Sequence, residues 1–361
     1  MCGSHLSGVT KMRRSMDGEL LKRVEEEVAP GIKELSLTVA GEPFLTPGLP
    51  KFIAVAERTG AELALNTNAT LIKDTKLLRR IMKQSSVLRF SVDGATAETY
   101  EAIRVKSDFN LVISNIRRAV TIRDEMPREQ RPRLVMCMVL MRANTHELPD
   151  MVDLAHGLGM DRLDVAHLTV LVPEMESQST RHITRQVDQA IHDAQARADQ
   201  LGFRINLPPL MSAERVYPSR LAKIRLSLNE ARRLTRRRLT RMGRTLNRKR
   251  MMAQWSRKAG GHVPCHFLQD GVFVTIQGEI APCPMPGRPI AGNLHDSSFQ
   301  DIWNGPVLSR LRQGFINGTP EECCAHCSQN PYDYQPADPD TVSPPDYDIA
   351  GLSDRPTVYS K

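Results

Sequence analysis

The 361-residue chain has no run approaching the ~20 unbroken apolar residues of a membrane span, which excludes an integral helical membrane protein. Its opening, MCGSHLSGVTKMRRSMDGE, lacks the apolar centre of a secretory signal, so the expected compartment is the cytoplasm. Acids are nearly absent from 215–258, where sixteen Lys and Arg face only Glu230, leaving 33 basic against 40 acidic residues elsewhere. The net charge of +8 therefore averages one basic island and a mildly acidic remainder. No aromatics interleave with the arginines between Arg220 and Arg250, so base stacking is not indicated. Aliphatic clusters are missing from the last 31 residues, which hold six Pro and six Asp. Such a stretch cannot bury enough apolar surface to offset the entropy of ordering, and 331–361 reads as a disordered acidic tail.

What remains is enough for about two domains at ~150 residues each. Five short apolar runs read as strands: Glu34–Val39, Glu62–Thr67, Val87–Asp93, Leu134–Met141 and Leu163–Thr169. Their apolarity on both sides suits a parallel sheet covered by helices. Between them lie helix-period stretches at Pro50–Arg58, Lys73–Gln84, Asn110–Asp124 and Leu148–Leu158, and Gly60 and Gly159 sit where left-handed caps belong. Alternation of strand and helix predicts an α/β sheet or barrel with right-handed crossovers. Residues 215–258 carry an imperfect apolar stripe among arginines and read as a long helix or helical pair. After Gly260, Phe273–Ile276 and Glu279–Ala281 flank Gln277-Gly278 as a hairpin.

Seven cysteines in a reducing compartment point to metal binding or catalysis before disulfides. Five of them fall between 265 and 327. Cys265 and Cys283 flank the predicted hairpin, and Cys324-Ala325-His326-Cys327 follows forty residues later. Four thiolates brought together by a folded-back chain suit a tetrahedral centre, and spacing leaves structural zinc and an iron–sulfur cluster level. Cys323 is a substitute ligand or a packing residue; Cys137, on an apolar strand, reads as core.

Three strand ends carry recognisable landmarks: Ala40-Gly41-Glu42-Pro43, Asn66-Thr67-Asn68-Ala69 and Ser91-Val92-Asp93-Gly94. These resemble the Gly-Gly-Glu-Pro, Thr-Asn-Gly and Ser-x-Asp-Gly segments of radical S-adenosylmethionine enzymes. Glu98 to Arg104 resembles their Thr-x-x-x-Ile-Arg helix. Cys265 to Cys327, with Gly292-Asn293 and Ile302-Trp303-Asn304 between, resembles their C-terminal SPASM or twitch module. The resemblance covers most of residues 1–330 and implies a partial (β/α)6 TIM-like barrel lacking its first strand. The expected domains are 1–208 (core), 209–260 (basic helical linker), 261–330 (SPASM/twitch) and the 331–361 tail. By resemblance, Gly41 and Glu42 hold the amino group of S-adenosylmethionine, with Asn68 at the same site. Ser91 and Asp93 meet its carboxylate or ribose, and Arg104 offers the carboxylate a bidentate fork. Cys265, Cys283, Cys324 and Cys327 would then bind an auxiliary [4Fe–4S] cluster.

The family also needs Cys-x-x-x-Cys-x-x-Cys to hold its radical [4Fe–4S] cluster. Met1-Cys2-Gly3 resembles the end of that motif, with Cys2 as third ligand. The first two ligands and the first strand are expected upstream of Met1, so the cluster is incomplete in this chain. The implied function is reductive cleavage of S-adenosylmethionine and hydrogen abstraction from a peptide, sugar or nucleoside-type molecule. A flavodoxin or ferredoxin would serve as reductant. The alternative is a non-catalytic iron–sulfur or S-adenosylmethionine-binding partner protein. A third reading is an Arg-rich RNA- or membrane-associating protein, since the basic island suits an anionic partner, or pairs with the acidic tail.

Overall fold

The computed structural model describes residues 16–37, 41–170, 173–212, 265–285, 287–316 and 320–325. Cys2, Cys327, the basic island and the acidic tail lie outside them. The chain divides into two units near residue 213.

The first unit is a sheet of six parallel strands: β1 (Glu34–Ser36), β2 (Glu62–Thr67), β3 (Val87–Ser91), β4 (Arg133–Leu140), β5 (Arg162–His167) and β6 (Ile205–Asn206). Strand order follows chain order without reversal. Right-handed crossovers in an unreversed order all fall on one side, which is the progression of a TIM-type barrel rather than a doubly wound sheet. α1 (Gly18–Arg23, continued by a π turn) precedes β1, and the crossover helices are α2 (Leu49–Thr59), α3 (Thr75–Gln84), α4 (Ala97–Ile103), α5 (Phe109–Glu125), α6 (Leu148–Gly157) and α7 (Thr184–Leu201). Asp74, Thr96 and Asp108 cap α3, α4 and α5 by accepting backbone N–H groups of the first turn. Gly60 ends α2 at φ 71°, and Gly159, beyond α6, takes φ 76°, as their positions predicted.

All five predicted strands are present, and the sixth, Ile205–Asn206, joins β5 on the side away from β1. The expectation of apolarity on both faces is corrected. Leu63, Leu65, Leu88, Phe90, Met136, Met138 and Leu163 point to one face and share a core with the helices. Each fully buried Leu there stabilises by about 2 kcal/mol. The opposite face carries Asn66, Arg89, Ser91, Cys137, Arg162 and Asp164, which are half-buried or exposed. Polar side chains were hidden inside runs that read as uniformly apolar.

The second unit contains a three-stranded antiparallel sheet of β7 (Phe273–Val274), β8 (Glu279–Ala281) and β9 (Gly292–Asn293), with α8 (His266–Asp270), α9 (Phe299–Asn304), α10 (Pro306–Ile316) and α11 (Glu322–Ala325). The β7–β8 turn closes at Gly278, φ 82°, whose N–H donates to Thr275 O at 3.0 Å. A Cβ on Gly292 would stand 2.8 Å from Ile302 Cγ1, so this position tolerates only glycine. Asn293 Nδ2 donates to Gln277 O at 3.1 Å and ties β9 to the hairpin turn. Leu268, Leu308, Leu311, Phe315 and Cys324 form the unit's small core.

Candidate functional site

In a parallel barrel, loops at the carboxyl ends of the strands converge, and four consecutive ends do so here. Gly41, at φ 110°, makes a turn open to glycine that delivers Glu42. Glu42 is 4% exposed. Its Oε1 accepts from Thr67 Oγ1 at 2.7 Å and Phe44 N at 3.2 Å, and its Oε2 from Asn68 N at 2.7 Å. Burial pushes its pKa up, and those hydrogen bonds and Arg104 offset this only in part. Asn68 Oδ1 accepts from Thr70 N and Oγ1, fixing an Asx turn that sends Ala69 to φ 60°. This is the position where the family pattern has glycine, and an alanine carries the left-handed conformation instead.

At the end of β3, Asp93 is 2% exposed. Its Oδ1 accepts from Val139 N at 2.8 Å, while Oδ2 accepts from Arg104 Nε at 2.8 Å and pairs with Nη2 at 2.7 Å. The Arg104 fork is thus spent first on Asp93. Gly94 permits this approach, because a Cβ there would lie 2.6 Å from Tyr100 N. Ser91 Oγ donates to Asn66 Oδ1 at 2.9 Å, one residue pair deeper in the sheet.

Two residues that sequence reasoning passed over hold this arrangement. Asn144, fully buried, donates through Nδ2 to Asp93 O and Val139 O, both at 2.9 Å, and accepts Met141 N. It locks the β3 end to the β4 end. Glu147 accepts from Ala95 N at 2.7 Å and Thr96 Oγ1 at 2.6 Å, anchoring the cap of α4 that carries Arg104. No local spacing could have flagged the ties that matter, since Asp93 lies 51 residues from Asn144 and Ala95 and Thr96 lie 52 and 51 from Glu147. At the end of β5, His167 Nε2 donates to Pro209 O at 3.0 Å.

In the second unit, Cys265 and Cys323 pack against the cluster that contains Cys324. Cys323 and Cys324 place their sulfurs 3.7 Å apart. Burial, with Cys323 and Cys283 nearby, pushes the Cys324 thiol up to about 12. Cys283 is buried as well. Among the described residues no three such ligands close into a metal-binding group; Cys327 lies outside them. Cys137, expected in the core, is half-buried on the polar sheet face instead, and burial raises its thiol to about 11.

Residues 265–328 match the SPASM family, an iron–sulfur cluster-binding domain. Over 161 residues the chain is 24% identical to the tungsten-containing aldehyde ferredoxin oxidoreductase cofactor-modifying protein of Pyrococcus furiosus, covering 44% of this chain and 45% of that protein. SuiB of Streptococcus suis, bound to precursor peptide SuiA, superposes at TM-score 0.51 with 14% identity, over 81% of this chain and 58% of SuiB. His-tagged anSMEcpe with bound AdoMet superposes at TM-score 0.52 with 15% identity, over 87% of this chain and 74% of that one. The chain therefore spans about half the length of the curated relative it matches. At these identities the structural likeness is one of fold. Among the described residues no helix is long and apolar enough to cross a membrane.

Proposed function

We propose that this chain, which joins a radical S-adenosylmethionine fold to a C-terminal SPASM domain, is an enzyme of that chemistry. It would bind S-adenosylmethionine across the ends of β1 to β4, cleave it reductively and abstract hydrogen from a peptide or small-molecule substrate. The observation that carries this reading is the pair of buried carboxylates, Glu42 and Asp93, at strand ends of a parallel sheet, with Asn68 and the half-buried Arg104 against them.

The residues fit the cofactor. A methionine ammonium needs acceptors, and Gly41 O with the Glu42 carboxylate would supply them; burial has already removed much of the water that would compete. Ser91 stands beside Asn66, offering a hydroxyl to the carboxylate or ribose. Arg104, 22% exposed, holds Asp93 and turns its outer edge to the site, where it would meet the methionine carboxylate. For the auxiliary cluster, Cys265, Cys283, Cys324 and Cys327 are the donor set, with Cys323 as substitute. The Cys324 thiol keeps its proton until iron displaces it, because burial disfavours the bare thiolate.

The radical cluster is different. Among the described residues the first unit has one cysteine, Cys137, and it stands in mid-strand on β4 rather than at a strand end. That does not make a three-thiolate set. When present, such a cluster supplies the electron that breaks the sulfonium bond. A second reading is a non-catalytic iron–sulfur and S-adenosylmethionine-binding partner.

Anaerobic reconstitution with iron and sulfide, then incubation with S-adenosylmethionine and dithionite, separates the two. Release of 5′-deoxyadenosine supports the enzyme. Bound iron and bound S-adenosylmethionine without deoxyadenosine would leave the partner protein.

A further inference from the structure

The polar face of the first unit's sheet is a second built surface, distinct from the strand-end loops. In register across it run Asn66, Arg89, Val135 and Arg162. The next row along the strands holds Ser91, Cys137, Asp164 and Asn206. Charges in these rows are mostly spoken for. Arg162 Nη2 donates to Asp164 Oδ2 at 2.7 Å, and Asn206 Nδ2 donates to Asp164 Oδ1 at 2.8 Å. Asp93 is held by Arg104 and Val139 N.

Arg89 is the exception. Half-buried at mid-strand, it makes no hydrogen bond or ion pair among the described residues. Its neighbour in register, Asn66, has its Oδ1 occupied by the Ser91 hydroxyl. That contact turns the Asn66 amide donors outward, and they too have no acceptor among the described residues. Arg89 and Asn66 therefore place up to seven N–H groups side by side on one face; the other carboxylates of that face, Glu34 and Glu62, stand four residues back along β2 and its neighbour β1. A guanidinium partly out of water and without a counter-ion is costly, and its planar fork matches a carboxylate.

We propose that Arg89 and Asn66 bind a carboxylate of the substrate, and that this substrate is a peptide carrying Asp or Glu at the anchored position. Arg89 and Ser91 are two positions apart, so the anchor lies about 6.6 Å along the strand from the S-adenosylmethionine residues, on the same face. From Asn66 to Arg162 the anchor's row spans three interstrand spacings of about 4.8 Å, roughly 14 Å, the reach of an extended segment of about four residues. A small acid would fill a fraction of it. The word substrate rests on the function proposed above; the binding itself does not.

The test uses the full chain, reconstituted anaerobically, and two fluorescent libraries of capped heptapeptides with random flanks. One has glutamate at the centre and the other glutamine. Anisotropy should show the glutamate library binding about tenfold or more tighter, as a charge-assisted pair requires. Arg89→Gln should erase the difference, and Arg89→Lys should retain part of it by keeping charge without the fork. Equal binding of both libraries to the wild type would overturn the anchor, as would a glutamate preference that survives Arg89→Gln. Should free glutarate bind while neither library does, the peptide would be the wrong occupant. None of these readings needs cleavage of S-adenosylmethionine, so failure to release deoxyadenosine would leave them intact.

Discussion

Glu42 and Glu147 are both 4% exposed and yet titrate in opposite directions. For Glu42 burial dominates and the pKa rises. For Glu147 burial also pushes upward, but hydrogen bonds from Thr96, Ala95 and Thr99 outweigh it and hold the carboxyl below its ordinary 4.5. A lowered folded pKa means the native state binds fewer protons than the unfolded chain just below 4.5. Glu147 therefore contributes stability that is complete above that pH and is lost as pH falls through the folded value. We expect Glu147→Gln to lower urea stability at pH 7 by about 1–3 kcal/mol, the scale of charged hydrogen bonds. The gap from wild type should narrow at pH 3; an equal gap at both would remove the carboxylate's charge from the account. Glu42 works against this trend, since its ionisation costs stability as pH rises through its raised pKa, so only the difference between variants is diagnostic. At this scale the sequence shows Gly41, Glu42, Asp93 and Gly94 as a pattern. It does not show why Gly94 is required, because the 2.6 Å approach to Tyr100 N is a tertiary fact.

Among the elements, the five predicted strands were legible because each is a run of at least five residues rich in Val, Leu and Ile. β6 is two residues long and offers no period to read. α7 escaped for another reason: its buried stripe is Val187, Ala190, Ile191, Ala194 and Ala198, and alanine gives little contrast against a polar helix. Yet α7 fixes the chain after β6. Asp188, 8% exposed, accepts Met211 N at 2.6 Å and Ser212 N at 3.0 Å. Asp188→Ala should leave those two amides without a partner, at about 1–3 kcal/mol. Hydrogen exchange at Met211 and Ser212 should then accelerate about tenfold or more while β3 amides stay protected. Unchanged exchange at both would show that the segment is held by other contacts.

For the whole molecule, the landmarks fall on successive strand ends, and an unreversed parallel sheet brings those ends together. The SPASM match locates the second unit's chemistry in the same way. Cys283→Ser should lower bound iron and visible absorbance in anaerobically reconstituted protein, and undiminished iron would remove that residue from the donor set. What stayed illegible is the asymmetry of the sheet, since Val- and Leu-rich runs conceal Asn66, Arg89, Ser91, Arg162 and Asp164 on one face, beside apolar neighbours such as Val87 and Val135. That asymmetry separates two kinds of inheritance within β3. Leu88 and Phe90 answer to the core, where a change alters how much folded protein there is. Arg89 and Ser91, one step away, answer to whatever lies against the open face. What lies against the open face can therefore change through alternate codons of a single strand while the fold's own requirements, written in the codons between, stay fixed.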